Sequence, residues 1–270
     1  MLRLASTVML VRPTPSDFEV FMVRRSGESH FVPNAYVFPG GTVDEADMSE
    51  RTFARSVGID APSLQAQFRA EQSPGFPAPI GSPASREAAG LLIAAVRELF
   101  EEAGVLLACD EAGTAVSQRV FERDPKAFAR ARARVAAKRV TLAEFLERSD
   151  LYANTAALAL FSHWITPPVM PRRYNAHFFV ALASADQAAA ADRWETHDGL
   201  WVAPQRALEL HQDGSLAMVY PTIKHLERLV QFDSAEAVMH FARTKTIYSI
   251  MPGATEDLAF SLPSELERAW

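Results

Sequence analysis

The stretch Arg97-Glu98-Leu99-Phe100-Glu101-Glu102-Ala103-Gly104-Val105 decides how the rest of this 270-residue chain is read. At about 100° per residue, Leu92, Ala95, Val96, Leu99 and Ala103 share one face of a helix that starts near Arg86. Glu98, Glu101 and Glu102 lie together on another face, and Gly104 is placed to end the helix as a left-handed cap. Such an acidic stripe is locally unfavourable. Like charges three or four residues apart cost roughly 0.2–0.5 kcal/mol per pair, and acids near a helix C-terminus oppose its dipole. Arg97 can pair with Glu101, but one guanidinium does not neutralise three carboxylates. A hard divalent cation does, and Mg²⁺ or Mn²⁺ prefers oxygen ligands of this kind. A bare Glu-Glu pair more often marks a solvated helix face, so the surrounding sequence has to decide.

Working outward, Tyr36-Val37-Phe38 reads as a strand that stops at Pro39-Gly40-Gly41, a turn whose glycines allow positive φ or close approach to a ligand. Asp44, Glu45 and Asp47 follow at once. Residues 48–85 then change character: a short helical piece around Phe53 gives way to a segment, Ser73 to Pro83, with too many prolines for regular structure. Upstream, Leu4–Arg12 and Phe18–Arg24 are apolar, β-rich runs joined by a Pro-Ser-Asp turn, a hairpin pattern. Downstream, residues of about 117–150 form a helical annex, with Thr141-Leu142-Ala143-Glu144 fitting a capping box. Strands are expected at Ala156–Trp164, His177–Ser184 and Gly199–Val202. A helix starts at Pro204 and ends near Gly214, and helices at Thr222–Gln231 and Ala235–Arg243 precede a loose tail.

With these parts in place, the chain resembles the Nudix hydrolase family, whose signature runs Gly, five residues, Glu, seven residues, then Arg-Glu-apolar-x-Glu-Glu-x-Gly-apolar. Arg97 to Val105 match its second half in full. From Gly41, five residues lead to Asp47, an acid in place of Glu, and 49 residues rather than seven separate Asp47 from Arg97. The signature is thus split by a 42-residue insertion, which a surface loop accommodates at small extra entropy cost. Trp201-Val202-Ala203-Pro204 also looks like the strand-to-helix segment that closes this fold. The resemblance implies an α/β Nudix fold, an α/β/α sandwich with a mixed sheet and helical insertions. The resemblance covers about residues 4–232, and a single domain of residues 1–270 is expected, with insertion 48–85 and the annex of about 117–150.

The same resemblance implies metal-dependent hydrolysis of a diphosphate linkage in a nucleotide derivative. Glu101 and Glu102 would hold Mg²⁺ or Mn²⁺ with a backbone carbonyl of Gly40 or Gly41, Glu98 would be a further ligand or the base, and Arg97 would orient the glutamates. Asp47, and Glu195 in a later loop, are candidates for an additional acid. The split signature and Ser162-His163-Trp164-Ile165-Thr166-Pro167, followed by Arg172-Arg173-Tyr174, are similar to the branch that includes the mammalian peroxisomal coenzyme A diphosphatase. That points to coenzyme A or acyl-CoA, cut to 3′,5′-ADP and (acyl-)phosphopantetheine. Arg172 and Arg173 would meet phosphates and Trp164 or Tyr174 would stack on adenine, or these residues are solvated arginines and core aromatics. ADP-ribose, NADH and other nucleoside diphosphate derivatives remain open, as does a catalytically silent Nudix-type sensor or interaction module.

Bulk properties narrow the field. A formal charge of −6 argues against a nucleic-acid-binding surface. The stripe Lys126, Arg130, Arg134, Lys138, with Arg132 and Arg139 nearby, reads as a solvated helix face. The single Cys109 excludes an internal disulfide and reads as a small buried hydrophobe. The histidines show no zinc spacing, there is no G-x-S-x-G elbow, and His177 in its apolar strand reads as a structural histidine with satisfied hydrogen bonds. No run has the length of a membrane span, which suggests a soluble, cytoplasmic protein with a small-molecule substrate, as a monomer or a homodimer.

Overall fold

The computed structural model describes residues 2–15, 17–25, 34–68, 70–71, 84–183, 199–254, 259–267 and 270. The N-terminal hairpin forms as expected from β1 (Leu2–Pro13) and β2 (Phe18–Arg24), with Val11 opposite Val20. After β3 (Tyr36–Val37) the chain turns into β4 (Gly40–Thr42), antiparallel to β1 with Gly41 opposite Ser6. A 3-10 turn, Glu45–Met48, leads into the insertion, which holds α1 (Glu50–Phe53), β5 (Ser56–Val57), α2 (Ala61–Gln67) and β6 (Ala70–Glu71). Then comes α3 (Ser85–Ala103), started by Glu87, whose carboxylate accepts from the Ala84 N–H, and ended by Gly104 at φ +67°. That positive φ is the left-handed cap read from the sequence.

After β7 (Ala108–Cys109), the annex contains a 3-10 turn, α4 (Pro125–Ala136) and α5 (Leu142–Arg148), the last with the Thr141–Glu144 capping box. The remainder includes β8 (Tyr152–Asn154), β9 (Ala159–Ile165), β10 (Arg173–Leu182), β11 (Gly199–Val202), α6 (Pro204–Gln212), α7 (Tyr220–Leu229), α8 (Ala235–Thr244) and β12 (Ile247–Ile250), followed by the short pair β13 (Gly253–Ala254) and β14 (Phe260–Ser261).

The central sheet is mixed, in the order β11-β2-β1-β10-β9-β12-β6, with β3 on β2 and β4 on β1. β1 runs parallel to β10, and β12 runs parallel to both β9 and β6. Side chains alternate across this sheet, as strand geometry requires. Val8, Leu10, Leu160, Phe179 and Ala181 enter a core beneath α3, while Met9, Val11, Phe161, Phe178 and Val180 enter a second core shared with α7 and α8. Helices on both faces of a mixed sheet make the expected α/β/α sandwich.

Three expectations change. First, the solvated face that a bare Glu-Glu pair would mark does not form: every residue from Ala88 to Phe100 is buried, Arg97 and Glu98 included, and Glu101 and Glu102 are half-buried, because the 3-10 turn and α4 cover the side away from the sheet. Second, the described part of the insertion is built into the fold instead of looping out. β6 extends the edge of the central sheet, and β5 joins β8 and β7 in a small second sheet. Third, the tail is not loose. Residues 247–250 form a strand, and Leu262, Leu266 and Trp270 are buried in the second core, because the face of β9 and α8 carries apolar area that needs a cover.

Candidate active site

The two halves of the split signature meet. Arg97, on α3, uses all five of its N–H groups. Its Nε and Nη2 hold Asp47 at 3.0 and 2.9 Å, Nη2 also reaches the Thr42 carbonyl at 2.9 Å, and Nη1 donates to Glu98 at 2.7 Å and Glu101 at 3.3 Å. One guanidinium therefore ties α3 to β4, to the 3-10 turn and to two of the three glutamates. The third, Glu102, accepts from the Gly40 N–H at 2.9 Å. Gly41 faces the Glu98 carboxylate so closely that a Cβ there would occupy the space of its oxygens. Any side chain at 41 would displace Glu98, which is the physical demand behind that glycine.

Asp47 corrects an expectation. It is 2% exposed, grips Arg97 with both oxygens and accepts from the Asp44 N–H at 2.9 Å. An acid so engaged is a partner of Arg97 and not an additional acid facing substrate. Glu195 lies outside the described residues. Of the two readings of Trp164, the structure favours the core aromatic: it is 3% exposed, its indole N–H donates to Ser162 Oγ at 3.1 Å, and its ring packs edge-on against Trp270 at 5.2 Å. The closing tail covers it, so no face is left for adenine. Arg172 is exposed, Arg173 donates to the Thr166 carbonyl at 3.0 Å, and Tyr174 is half-buried. Arg173 and Tyr174 pair with Leu2 and Arg3, three to four residues along the sheet from Ser6 and Gly41. The structure does not bring them to the glutamates.

Electrostatically the cluster is short of positive charge. Burial raises the pKa values of Glu98 and Glu101, against the attraction of Arg97. Glu102 is pushed up to about 7, first by burial and then by repulsion from Glu98 and Glu101, despite the Gly40 hydrogen bond. Among the described residues no three His, Cys, Asp or Glu side chains already converge as a closed metal cage; Arg97 and the Gly40 amide hold the carboxylates instead. The donor chemistry nevertheless suits a hard cation: all-oxygen, anionic, partly dehydrated groups whose mutual repulsion a divalent ion relieves.

Arg132 departs from the solvated helix face expected of the basic stripe. It lies on α4 between Phe128 and Val135, both buried, at a spacing that turns it inward, while Lys126, Arg130, Arg134 and Lys138 are exposed as expected. Its Nε and Nη2 donate to the carbonyls of Glu101 and Glu102 at 2.8 and 2.9 Å. A cation at a core-facing helix position was the available signal. His177 also differs from expectation. It is buried and stacked on His163 at 4.3 Å, yet its Nδ1 has no hydrogen-bond partner among the described residues, and burial drives its pKa well below the ordinary value.

Against known proteins, the NUDT19 Nudix domain family matches residues 2–229. The chain belongs to the Nudix family. The Nudix chain is 29% identical over 237 residues to the acyl-coenzyme A diphosphatase NUDT19 of Xenopus laevis, covering 80% of this chain and 61% of that protein. It is 30% identical over 252 residues to the Gallus gallus protein of the same name, covering 86% and 66%. It therefore spans somewhat less than two thirds of the length of these relatives. Among solved structures, a NUDIX hydrolase from Alicyclobacillus acidocaldarius shares the fold with a TM-score of 0.58 at 24% identity, covering 89% of this chain and 96% of that one. No helix among the described residues is long and apolar enough to cross a membrane.

Proposed function

We propose that this Nudix chain hydrolyses the diphosphate linkage of coenzyme A or acyl-CoA, consuming one water and releasing 3′,5′-ADP and (acyl-)phosphopantetheine. The observation that carries the hydrolase reading is the set of Glu98, Glu101 and Glu102 gathered beside Gly40 and Gly41 around one fully engaged arginine. The substrate class rests on the likeness to proteins named acyl-coenzyme A diphosphatase.

In this reading Glu101 and Glu102, with a backbone carbonyl of Gly40 or Gly41, hold Mg²⁺ or Mn²⁺. When bound, the cation supplies charge neutralisation for the diphosphate and Lewis acidity at the reacting phosphorus. Glu98 takes the proton of the attacking water; burial raises its pKa and so makes it a better base than an exposed glutamate. Arg97 keeps Glu98 and Glu101 in fixed rotamers, and Asp47 holds Arg97. Arg172 and Arg173 are available to phosphates only if the substrate extends along β1 and β10.

The test is turnover by the metal-free chain supplemented with Mg²⁺ or Mn²⁺ and offered acyl-CoA, NADH or ADP-ribose. Release of 3′,5′-ADP from acyl-CoA supports the proposal. Cleavage of ADP-ribose or NADH with acyl-CoA left intact rejects the substrate assignment. Tight binding without any product favours a sensor.

A further inference from the structure

Four backbone carbonyls at the end of any α-helix lack partners within it. In α3 two of these belong to Glu101 and Glu102, the residues assigned above to the cation. Both are taken up by a single side chain from another part of the sequence, Arg132 of the annex. Planar guanidinium geometry lets one residue bridge adjacent carbonyls in a way a lysine ammonium reproduces poorly. The position is costly to maintain: burial lowers the pKa of Arg132 against the attraction of the Glu102 carboxylate. Gly104 accommodates it as well. A Cβ there would lie 3.0 Å from Arg132 Nη1, so the glycine that caps α3 also leaves room for the arginine.

We propose that the annex is a positioning device for the active-site helix and that Arg132 is its working residue. The last turn of α3 bears two repelling carboxylates at the negative end of the helix dipole, an arrangement that favours fraying. Arg132 places positive charge against that end and pins the backbone of the two residues whose side chains must converge on a cation. The annex is anchored around this contact: Lys138, just after α4, pairs with Asp44 at 2.6 Å, and Arg51 of α1 bridges to Glu144 and Glu147 of α5. Helix α4 therefore approaches α3 from a base tied to the first half of the split signature and to the insertion that follows it. Arg132 is a positioning residue, not a catalytic one, and the proposal rests on the metal-site reading above.

The experiment measures Mn²⁺ binding to the metal-free full chain by the electron paramagnetic resonance signal of free Mn²⁺, with thermal melts as a check on folding. In Arg132→Gln the Mn²⁺ dissociation constant is expected to rise about tenfold or more, the range for loss of an outer partner of a metal ligand. The KM for acyl-CoA at saturating Mn²⁺ should stay near wild type, a split that a general loss of structure does not produce. Arg132→Lys should recover part of the affinity, and carries the test if the glutamine variant does not fold. Arg134→Gln, exposed on the same helix, should bind as wild type. Unaltered Mn²⁺ affinity in a folded Arg132→Gln, alongside lost affinity in Glu102→Gln, overturns the proposal and leaves the metal site standing. Wild-type affinity in Glu101→Gln and Glu102→Gln overturns the metal-site reading itself.

Discussion

Two regions on opposite faces of the sheet bury titratable groups, and they do so with opposite charge. Beneath β4, α3 gathers Glu98, Glu101 and Glu102, with Asp47, around Arg97. On the other face, His225 and Lys245 lie in an aromatic cluster. His225 stacks on Phe178 at 4.1 Å and meets Trp270 at 5.1 Å, and the Lys245 ammonium lies 4.8 Å from the Phe161 ring and 5.7 Å from that of Trp270. Burial brings His225 down to about 3 and Lys245 down to about 7, so this region approaches neutrality by itself. Its residual polarity is met by Ser162 and the Pro221 carbonyl on His225 and by ring faces around Lys245. The acidic region has only a partial outlet of this kind near neutral pH, at Glu102. Two of its glutamates remain bound to a cationic arginine, and the charge imbalance is what an added divalent ion would remove. The basic region is a core that tolerates polar groups; the acidic region keeps its carboxylates on Arg97 and the Gly40 amide.

The largest expected effect comes from removing charge within the acidic region. Glu98→Gln and Glu101→Gln should each lose hydrolysis by about 10²–10⁴, the scale of general acid–base and electrostatic contributions. Both should melt at or slightly above the wild-type temperature, since like-charge repulsion is relieved. Wild-type rates in both variants would dissolve the distinction between the two regions.

Next is the arginine's anchor. Asp47→Ala leaves a buried guanidinium without its main partner, and chemical denaturation should show a loss of about 3 kcal/mol, the low end for a broken buried pair because Glu98 and Glu101 remain. A change under 1 kcal/mol would mean that Asp47 does not anchor Arg97.

Stability against pH gives a third comparison, with opposite signs for the two regions. In the metal-free chain Glu102 titrates near 7 when folded and near the ordinary 4.5 when unfolded. The folded form therefore holds the extra proton between these values, and this contribution to stability declines as pH rises from about 4.5 to 7. His225 and Lys245 have depressed folded values. For them the unfolded chain holds the extra proton, so their contributions grow as pH rises from about 3 to 6.5 and from about 7 to 10.5. Melts of Glu102→Gln should lose the first slope, and those of Lys245→Met the last. Added Mn²⁺ should raise the melting temperature more at pH 7.5 than at pH 5, where protons compete for the same carboxylates; equal shifts would count against Glu102 as a ligand.

The smallest effect concerns Lys138, whose φ of +54° is a left-handed conformation and whose ammonium pairs with Asp44 at the surface. Lys138→Gly relieves backbone strain while losing an exposed ion pair, and each of these is worth about 1 kcal/mol. Denaturation midpoints should therefore barely move.

Much of this was legible locally. The hairpin, α3 with its Gly104 cap, the Thr141 capping box and the helix start at Pro204 follow from turn chemistry and periodicity, which act within a few residues. Both halves of the signature were legible too, because their residue types repeat a recognisable spacing. What escaped was set at long range. Asp47 read as a spare acid until Arg97 was found against it across fifty positions of sequence. Trp164 stood open between a stacking surface and a core aromatic until the C-terminal residues closed over it. Arg132 was hidden within a basic stripe whose other members do face water.

The amino-acid sequence alone determined that one helix carries three glutamates in an arrangement unfavourable without a cation, and that a glycine turn upstream belongs with it. Residue type and helical period suffice for the first; the second is what the resemblance to the Nudix signature implies. Only the tertiary structure decided which groups hold those glutamates: Asp47 through Arg97 on one side, and Arg132 on the carbonyls at the other. Such contacts join residues far apart in the chain, and their strength comes from burial, which no local stretch of sequence contains.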